Sequence, residues 1–327
     1  MDAQKRKEKV ALLSVVSNTT LVVLKLIVGV MIGSVSVMSE AIHSGVDLAA
    51  AIIALFSVKT SSLPADGRHP FGHGKIENIS GTFEALLIFV AAGWIIWEAV
   101  RKLLEPQPME TVGWGVAVML VSAVANQFVS SSLFEVGKET DSVALIADGW
   151  HLRTDVFTSA GVMVGLAVIW TGELLFPGHH FHWLDPLAAI GVASLIIKAA
   201  WDLTRQSAGG LMDETLPPEE EQEICRLICS QTPLIHGFHQ LRTRKAGHYR
   251  FIEVHIQVDG KMPVETAHAL NDELVRRVKA RFPQTTVTVH TEPCNGQCPE
   301  KCLAGCLLTE TEQAGIRQPV AKPTENM

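Results

Sequence analysis

The sequence predicts an all-α membrane bundle of six helices, followed by a cytoplasmic α+β domain of order αββαβ. Three observations predict it. The 327 residues are 47% apolar and only 19% charged, below the roughly 25% charged of a typical soluble chain. Mean hydropathy is +0.24. The apolar text is also uneven, with all seven Trp before residue 207 and all six Cys after it. Beyond that point the chain becomes acidic and amphipathic. A disordered chain, which needs low hydrophobicity and high net charge, is excluded. A formal charge of −7 and a pI near 6.0 lack the basic footprint of a nucleic-acid binder.

The six expected spans are 11–33, 36–58, 78–100, 111–134, 142–171 and 186–206. Each reaches the ~20 residues that a ~30 Å hydrocarbon core demands. The fourth is free of charge from Val112 to Phe134. The others hold Lys25, Glu40, His43, Asp47, Glu84, His151, Arg153, Asp155 and Lys198. Some of these can snorkel from a span end; those near a span's middle need another account. The start MDAQKRKEK runs into an apolar stretch with no small-residue cleavage site, so no signal peptide is expected.

An even span count puts both termini on one side, and Lys and Arg choose it. Lys5, Arg6, Lys7, Lys9, Lys59, Arg68, Lys75 and Lys138 lie on one side, against Arg101 and Lys102 on the other. Both termini are therefore expected in the cytoplasm, where the cysteines meet a reducing medium. The expected organisation is a tail at 1–10, the membrane domain at 11–206, a soluble domain at 207–292, and a Cys-rich segment with a disordered tail at 293–327.

Two motifs repeat. The second span carries HSGVD, His43 to Asp47, and the fifth carries HLRTD, His151 to Asp155. Residues four apart share a helix face. Both Asp lie near the middle of their spans, hence at matched depth. The spans run in opposite directions, so one His lies above its Asp and the other below, each by ~6 Å. Two carboxylates and two imidazoles can then enclose a tetrahedral N2O2 cage, which suits zinc. The plainer alternative is a structural hydrogen-bond network between two spans. A carboxylate at that depth costs several kcal/mol unless paired, which favours a functional role.

The loop PADGRHPFGHGK places Asp66, His69 and His73 within eight residues. Its prolines and glycines favour a tight reversal. Such a trio can close on one ion with water as fourth ligand, or it can be a polar loop with solvated imidazoles.

In the soluble part, 217–231 reads as a helix with Pro and Glu at its start, which suits the helix dipole. Segments 238–244, 249–258 and 285–291 read as strands, and 264–281 as a second helix. This is a small split-βαβ, ferredoxin-like sandwich. Alternation puts Ile252, Val254, Ile256 and Val258 on one face and His255 on the other; His290 likewise opposes Val287 and Val289. His239 shares its expected face with Leu241. His236 and His248 read as solvated loop residues.

Cys294, Cys298, Cys302 and Cys306 form C-x3-C-x3-C-x3-C, interrupted by Pro293, Gly296, Pro299 and Gly305. A thiolate metal site, redox-active thiols and a structural loop are all open readings. Cys225 and Cys229 read as core packing. His179, His180 and His182 lie in a loop expected on the outer side, as solvated residues or as a catch for released ions.

The strings SVSVMSEAIHSGVD, PADGRHPFGHGKIE, ADGWHLRTDVFTS, LRTRKAG and RFIEVH resemble the cation diffusion facilitators, a family of dimeric divalent-metal/proton antiporters, over about residues 8–293. The resemblance implies a transport site at His43, Asp47, His151 and Asp155. It implies a second metal site at Asp66, His69 and His73, and a salt bridge from Lys75 to Asp213 at the dimer interface. It implies a metallochaperone-like fold for the soluble domain, with a binuclear site at His239, His255, His268, His290 and Glu292. Two positions vary: some bacterial zinc/iron-type members carry Asp where this chain has His43, and Glu292 replaces the more usual Asp. The His form resembles zinc-preferring members, with cadmium, iron or manganese as competing cargoes. The expected protein is thus a zinc/proton antiporter in a lipid membrane, of bacterial inner-membrane type. It is a homodimer regulated by cytoplasmic metal binding. The alternatives are a membrane metal sensor and an intramembrane metallo-enzyme; no HExxH motif lies in a span, so no enzyme is expected.

Overall fold

The computed structural model describes residues 3–32, 35–104, 114–175, 184–296 and 304–316. The chain divides into two compact units, Met1–Met212 and Asp213–Met327.

The first unit is all helix: α1 Ala3–Ile32, α2 Val35–Ser61, α3 Lys75–Leu104, α4 Trp114–Glu139, α5 Val143–Leu175 and α6 Leu184–Leu211. Five of the six are long and apolar enough, over the described residues, to cross a membrane: α1, α2, α3, α4 and α6. The first part of α5 instead carries Asp148, His151, Arg153 and Asp155. The unit is inverted relative to a soluble protein. Large apolar side chains such as Met31, Ile42, Trp94 and Phe128 face outward, while Asn18, Asp47, Glu77, Glu84, Asp148 and His151 are buried. That is the arrangement a lipid solvent selects.

Helix pairs close on small residues, as expected where no hydrophobic effect drives helix association. A Cβ on Gly81 of α3 would lie 2.5 Å from Ser207 Oγ of α6. Ala85, Ala92, Ala147 and Ala200 line the same core, around Ile88 and Ile196.

Residues 3–10, expected as a tail, extend α1. Lys, Arg, Gln and Glu are good helix formers, and the extension is anchored. Lys7 Nζ donates to Glu77 Oε1 at 2.8 Å. The Ser61 and Ser142 hydroxyls donate to the same carboxylate at 2.9 and 2.7 Å. One buried carboxylate thus gathers α1, the end of α2, the start of α3 and the residue before α5.

The second unit runs α7 Pro218–Cys229, β1 Gly237–Ala246, β2 Tyr249–Asp259, α8 Val264–Arg281, β3 Thr285–Cys294 and α9 Glu310–Ile316. The sheet order is β1-β2-β3. The pair β1/β2 is an antiparallel hairpin, and β2/β3 is parallel through α8, so the expected αββαβ order holds. Ile252, Val254, Ile256 and Val258 pack with Ile224 and Ile228 of α7 and Leu270, Leu274 and Val278 of α8. Arg250 grips Glu220 with two bonds of 2.7 and 2.8 Å, fixing the start of α7 to β2.

The expected Cys-rich segment and disordered tail at 293–327 is corrected only in part: residues 304–316 take a defined course, and residues 317–327 lie outside the described residues. Cys306 bridges Gly237, Phe238 N donates to Gly305 O at 3.0 Å, and Leu307 N donates to His236 O at 2.9 Å. The segment covers the open edge of β1, satisfying backbone groups that would otherwise invite another strand. A Cβ on residue 305 would overlap Phe238 O at 1.8 Å, so only glycine permits this approach. The α9 turn then follows.

Candidate metal centre

The four-residue spacing does what helix geometry demands. His43 and Asp47 project from one face of α2, and His151 and Asp155 from one face of α5. The pairing runs between helices: His151 Nε2 lies 3.0 Å from Asp47 Oδ1, and His43 Nε2 lies 3.6 Å from Asp155 Oδ1. Donor atoms of His43, Asp47 and Asp155 fall within 4.8 Å of one another; His151 joins through Asp47. Two ligands bound ~2.05 Å from a tetrahedral zinc stand about 3.3 Å apart. The two observed His–Asp separations bracket that edge, and His43, Asp47 and Asp155 offer three donors that could hold one ion. Asp47 and His151 are buried, at 3% and 6% exposure.

The fourth helix adds contacts the sequence reading missed. Asn126 Nδ2 donates to Asp155 Oδ2 at 3.3 Å. Ser122 and Asn126 line a cavity of about 80 Å³ with His43, Asp47 and Asp155. That volume holds an ion with one or two waters, at ~30 Å³ per water. Two further carboxylates, Glu84 of α3 and Asp148 of α5, are fully buried, with Ser80 Oγ donating to Glu84 Oε1 at 3.2 Å. Asp148 stands three residues before His151, on the same helix face. That spacing was the available signal for it.

The loop trio also converges. Asp66 lies 3.3 Å from His69 Nδ1 and 3.4 Å from His73 Nε2. The fold of the loop is local. Asp66 Oδ1 accepts the backbone N–H of His69 at 2.7 Å and of Arg68 at 2.8 Å, an Asx-type turn. Gly72 takes φ +83°, which closes the reversal. Those two backbone donors, His69 first, hold the Asp66 carboxyl below the ordinary carboxylate range.

In the second unit the strand register aligns three imidazoles. His239 pairs with His255 across β1/β2, and His255 with His290 across β2/β3. Glu292 ties them together, with His255 Nδ1 at 2.9 Å, His239 Nε2 at 3.3 Å and His290 Nε2 at 3.5 Å. Simple alternation had set His239 beside Leu241. A bulge between His239 and Arg242, with Gln240 at φ 50°, breaks that phase. Phe238 and Leu241 then both reach the core, and His239 joins His255. His268 lies on α8 beside Asp272, 3.6 Å away, outside this group.

Glu292 supplies a pH prediction. The hydrogen bond from His255 holds its carboxyl below the ordinary carboxylate range, opposed by desolvation and aided by His239. A depressed carboxylate contributes stability above its unfolded value, about 4.3, and loses it as pH falls through the lowered folded value. The gap in stability between wild type and Glu292→Gln, both metal-free, is therefore expected to shrink below about pH 4. Acid unfolding followed by circular dichroism measures it.

The remaining expected residues make the following contacts. Lys75 Nζ donates to the Leu211 carbonyl at 3.2 Å. Asp213 accepts from Arg244 Nη1 at 3.3 Å. Cys306 Sγ lies 3.8 Å from the His236 carbonyl, and Cys294 ends β3. Cys298 and Cys302, like His179, His180 and His182, fall outside the described residues.

Comparison with known proteins covers both units. Residues 11–212 match the cation efflux transmembrane domain, and residues 216–294 match the cation efflux protein cytoplasmic domain. An uncharacterised transporter of Synechocystis sp. is 38% identical over 86% of this chain and 89% of its own length. The cation-efflux pump FieF of Citrobacter koseri is 31% identical, covering 88% of this chain and 93% of its own. That of Yersinia enterocolitica is 32% identical, covering 86% and 91%. Among solved structures, a candidate zinc transporter, CzrB, is 41% identical over 24% of this chain and 96% of its own, with a TM-score of 0.23. The metal-bound C-terminal domain of the CzcD transporter from Thermotoga maritima is 32% identical over 24% and 94%, with a TM-score of 0.22.

Proposed function

Because this chain belongs to the cation efflux, or cation diffusion facilitator, family of multi-pass membrane transporters, we propose that it exports zinc in exchange for protons. The pair of His–Asp contacts across α2 and α5 carries this reading. Imidazole nitrogen with carboxylate oxygen at near-tetrahedral edges suits zinc better than the oxygen-only shells of magnesium or calcium. Cadmium, iron and manganese are the competing cargoes.

In this reading the ion enters from the cytoplasm and is held by His43, Asp47, His151 and Asp155. It leaves on the far side when the helices rock. Metal binding requires neutral imidazole, so loading expels protons and protonation favours release. The protein works as a homodimer with both termini cytoplasmic, in a bacterial inner membrane, and converts no substrate chemically. Asp66, His69 and His73 form a second metal site in the loop. Lys75 pairs with Asp213 to join the two domains. The cluster of His239, His255, His290 and Glu292, with His268, binds metal as its cytoplasmic level rises and tightens the dimer.

Flux into proteoliposomes under an imposed pH gradient tests the transport reading, with zinc, cadmium, iron and manganese compared. Zinc flux that tracks the gradient supports antiport. Zinc binding without flux in oriented vesicles turns the protein into a sensor. The regulatory part is tested separately. His255→Ala with His290→Ala is expected to weaken zinc binding to the cytoplasmic cluster by more than about 100-fold, beyond the 10- to 100-fold typical of losing only a ligand's supporting partner. Calorimetric titration of the full chain in a background of Asp47→Ala with Asp66→Ala isolates that component. An unchanged titration defeats the regulatory role.

A further inference from the structure

Glu84 of α3 and Asp148 of α5 belong to none of the three ligand groups described above, yet both are 0% exposed. Their helices run side by side in the same direction. Ser142 donates to Glu77 at 2.7 Å at one level, a Cβ on Gly81 would lie 3.0 Å from Val143 Cγ1 at the next, and Ala85 packs in one core with Ala147 a turn further on. Glu84 and Asp148 fall at that last level, within electrostatic reach of each other. Asp148 stands three residues before His151, a rise of ~4.5 Å along α5.

Among the described residues, no lysine or arginine pairs with either carboxylate. Ser80 Oγ donates to Glu84 Oε1 at 3.2 Å, but Glu84 Oε2 and both Asp148 oxygens have no hydrogen-bond partner. Asp47 of α2 and His151 of α5 act electrostatically on Asp148, and the Ser14 hydroxyl of α1 faces it. The other charged groups of the packed helices are engaged or exposed. Lys7, Lys25 and Arg153 donate to Glu77, Ser44 and Ser130. Lys198, Asp202 and Arg205 of α6 and Glu135, Lys138 and Glu139 of α4 are exposed. Two like charges buried side by side are relieved by holding one proton between them. That proton also supplies a donor to oxygens that otherwise have none.

We propose that Glu84 and Asp148 form a proton-holding dyad that discharges when the transport site takes up its ion. Before loading, the pair keeps one proton. A divalent charge arriving at Asp47 and His151 favours the fully ionised pair. The O–H bond then breaks, its electrons stay on the carboxylate, and the proton passes to solvent. Reprotonation of the dyad in turn favours release of the ion. The dyad adds one exchangeable proton to those of the ligand imidazoles and so sets part of the metal-to-proton ratio. This inference rests on the antiport reading above.

The test uses full-length protein. Calorimetric titration with zinc, in two buffers of different ionisation enthalpy, counts the protons released by the binding component that Asp47→Ala removes. The double variant Glu84→Gln with Asp148→Asn is expected to release about one proton fewer per zinc. Its zinc affinity should then fall less steeply on acidification, by about tenfold less per pH unit. In infrared difference spectra, zinc binding to the wild type should abolish a carbonyl stretch of a protonated carboxyl group, a band that the double variant lacks. A folded double variant whose proton count matches that of a proton-releasing wild type overturns the proposal alone. If the double variant does not fold, wild-type spectra without that loss overturn it instead. Wild type that binds zinc without releasing protons, and moves it regardless of the pH gradient, overturns the antiport reading and this proposal with it.

Discussion

Asp47→Ala is expected to reduce zinc flux by about two orders of magnitude or more, beyond the 10- to 100-fold typical of losing a ligand's supporting partner. Asp47 supplies an oxygen to the three-residue group and also accepts from His151 at 3.0 Å. Its removal takes away one anionic ligand and the group that orients a second. Stability should respond differently. A carboxylate held at that depth costs several kcal/mol, so its loss should leave the melting temperature of the detergent-solubilised protein unchanged or raised. Flux and thermal unfolding measured on the same preparation separate the two effects. Retained flux in Asp47→Ala would remove this site from the transport path, whereas lost flux with a large fall in melting temperature would assign Asp47 a structural role.

Glu77→Ala is expected to destabilise the first unit by about 3–5 kcal/mol, the cost of removing one partner from a buried ion pair. Lys7 and Glu77 are 2% and 0% exposed, so Lys7 would lose its carboxylate in a site water barely reaches. The Ser61 and Ser142 hydroxyls would lose their acceptor as well. Glu77→Gln retains an acceptor oxygen and should cost less. Replacing both partners, Lys7→Met with Glu77→Leu, should recover most of the loss, because a buried pair rarely outperforms apolar groups of similar volume. Thermal unfolding in detergent ranks the variants. Equal stability of the single and double variants would mean that the pair contributes nothing beyond its packing.

The membrane helices were legible because their signal is compositional. About twenty apolar residues in a row have few other uses. The His-x-x-x-Asp motifs were legible because a helix has a fixed period: spacing alone puts His43 with Asp47 and His151 with Asp155 on common faces. The loop trio was legible because Asp66, His69 and His73 are neighbours in sequence. The buried network around Glu77 was not legible, since its members lie up to 70 residues apart. Lys7 reads as an ordinary tail lysine until α3 is set beside it. His239 was obscured for another reason. Alternation assumes an unbroken strand, and the bulge at Gln240 shifts the phase by one residue.

The sequence by itself determined what depends on period and composition: six helices, an αββαβ domain, and which side chains share a face. Tertiary structure decided what depends on closure between distant segments. It crossed the His–Asp pairs between α2 and α5, and it brought Asn126 and Lys25 to the same cavity. It gathered α1, α2, α3 and Ser142 onto Glu77. It drew residues 305–307 onto the edge of β1, where Gly305 alone admits the approach. Local periodicity sets the direction of a side chain along its own element. Which group it meets depends on how two elements pack, and that is settled by the shapes and small residues of both together.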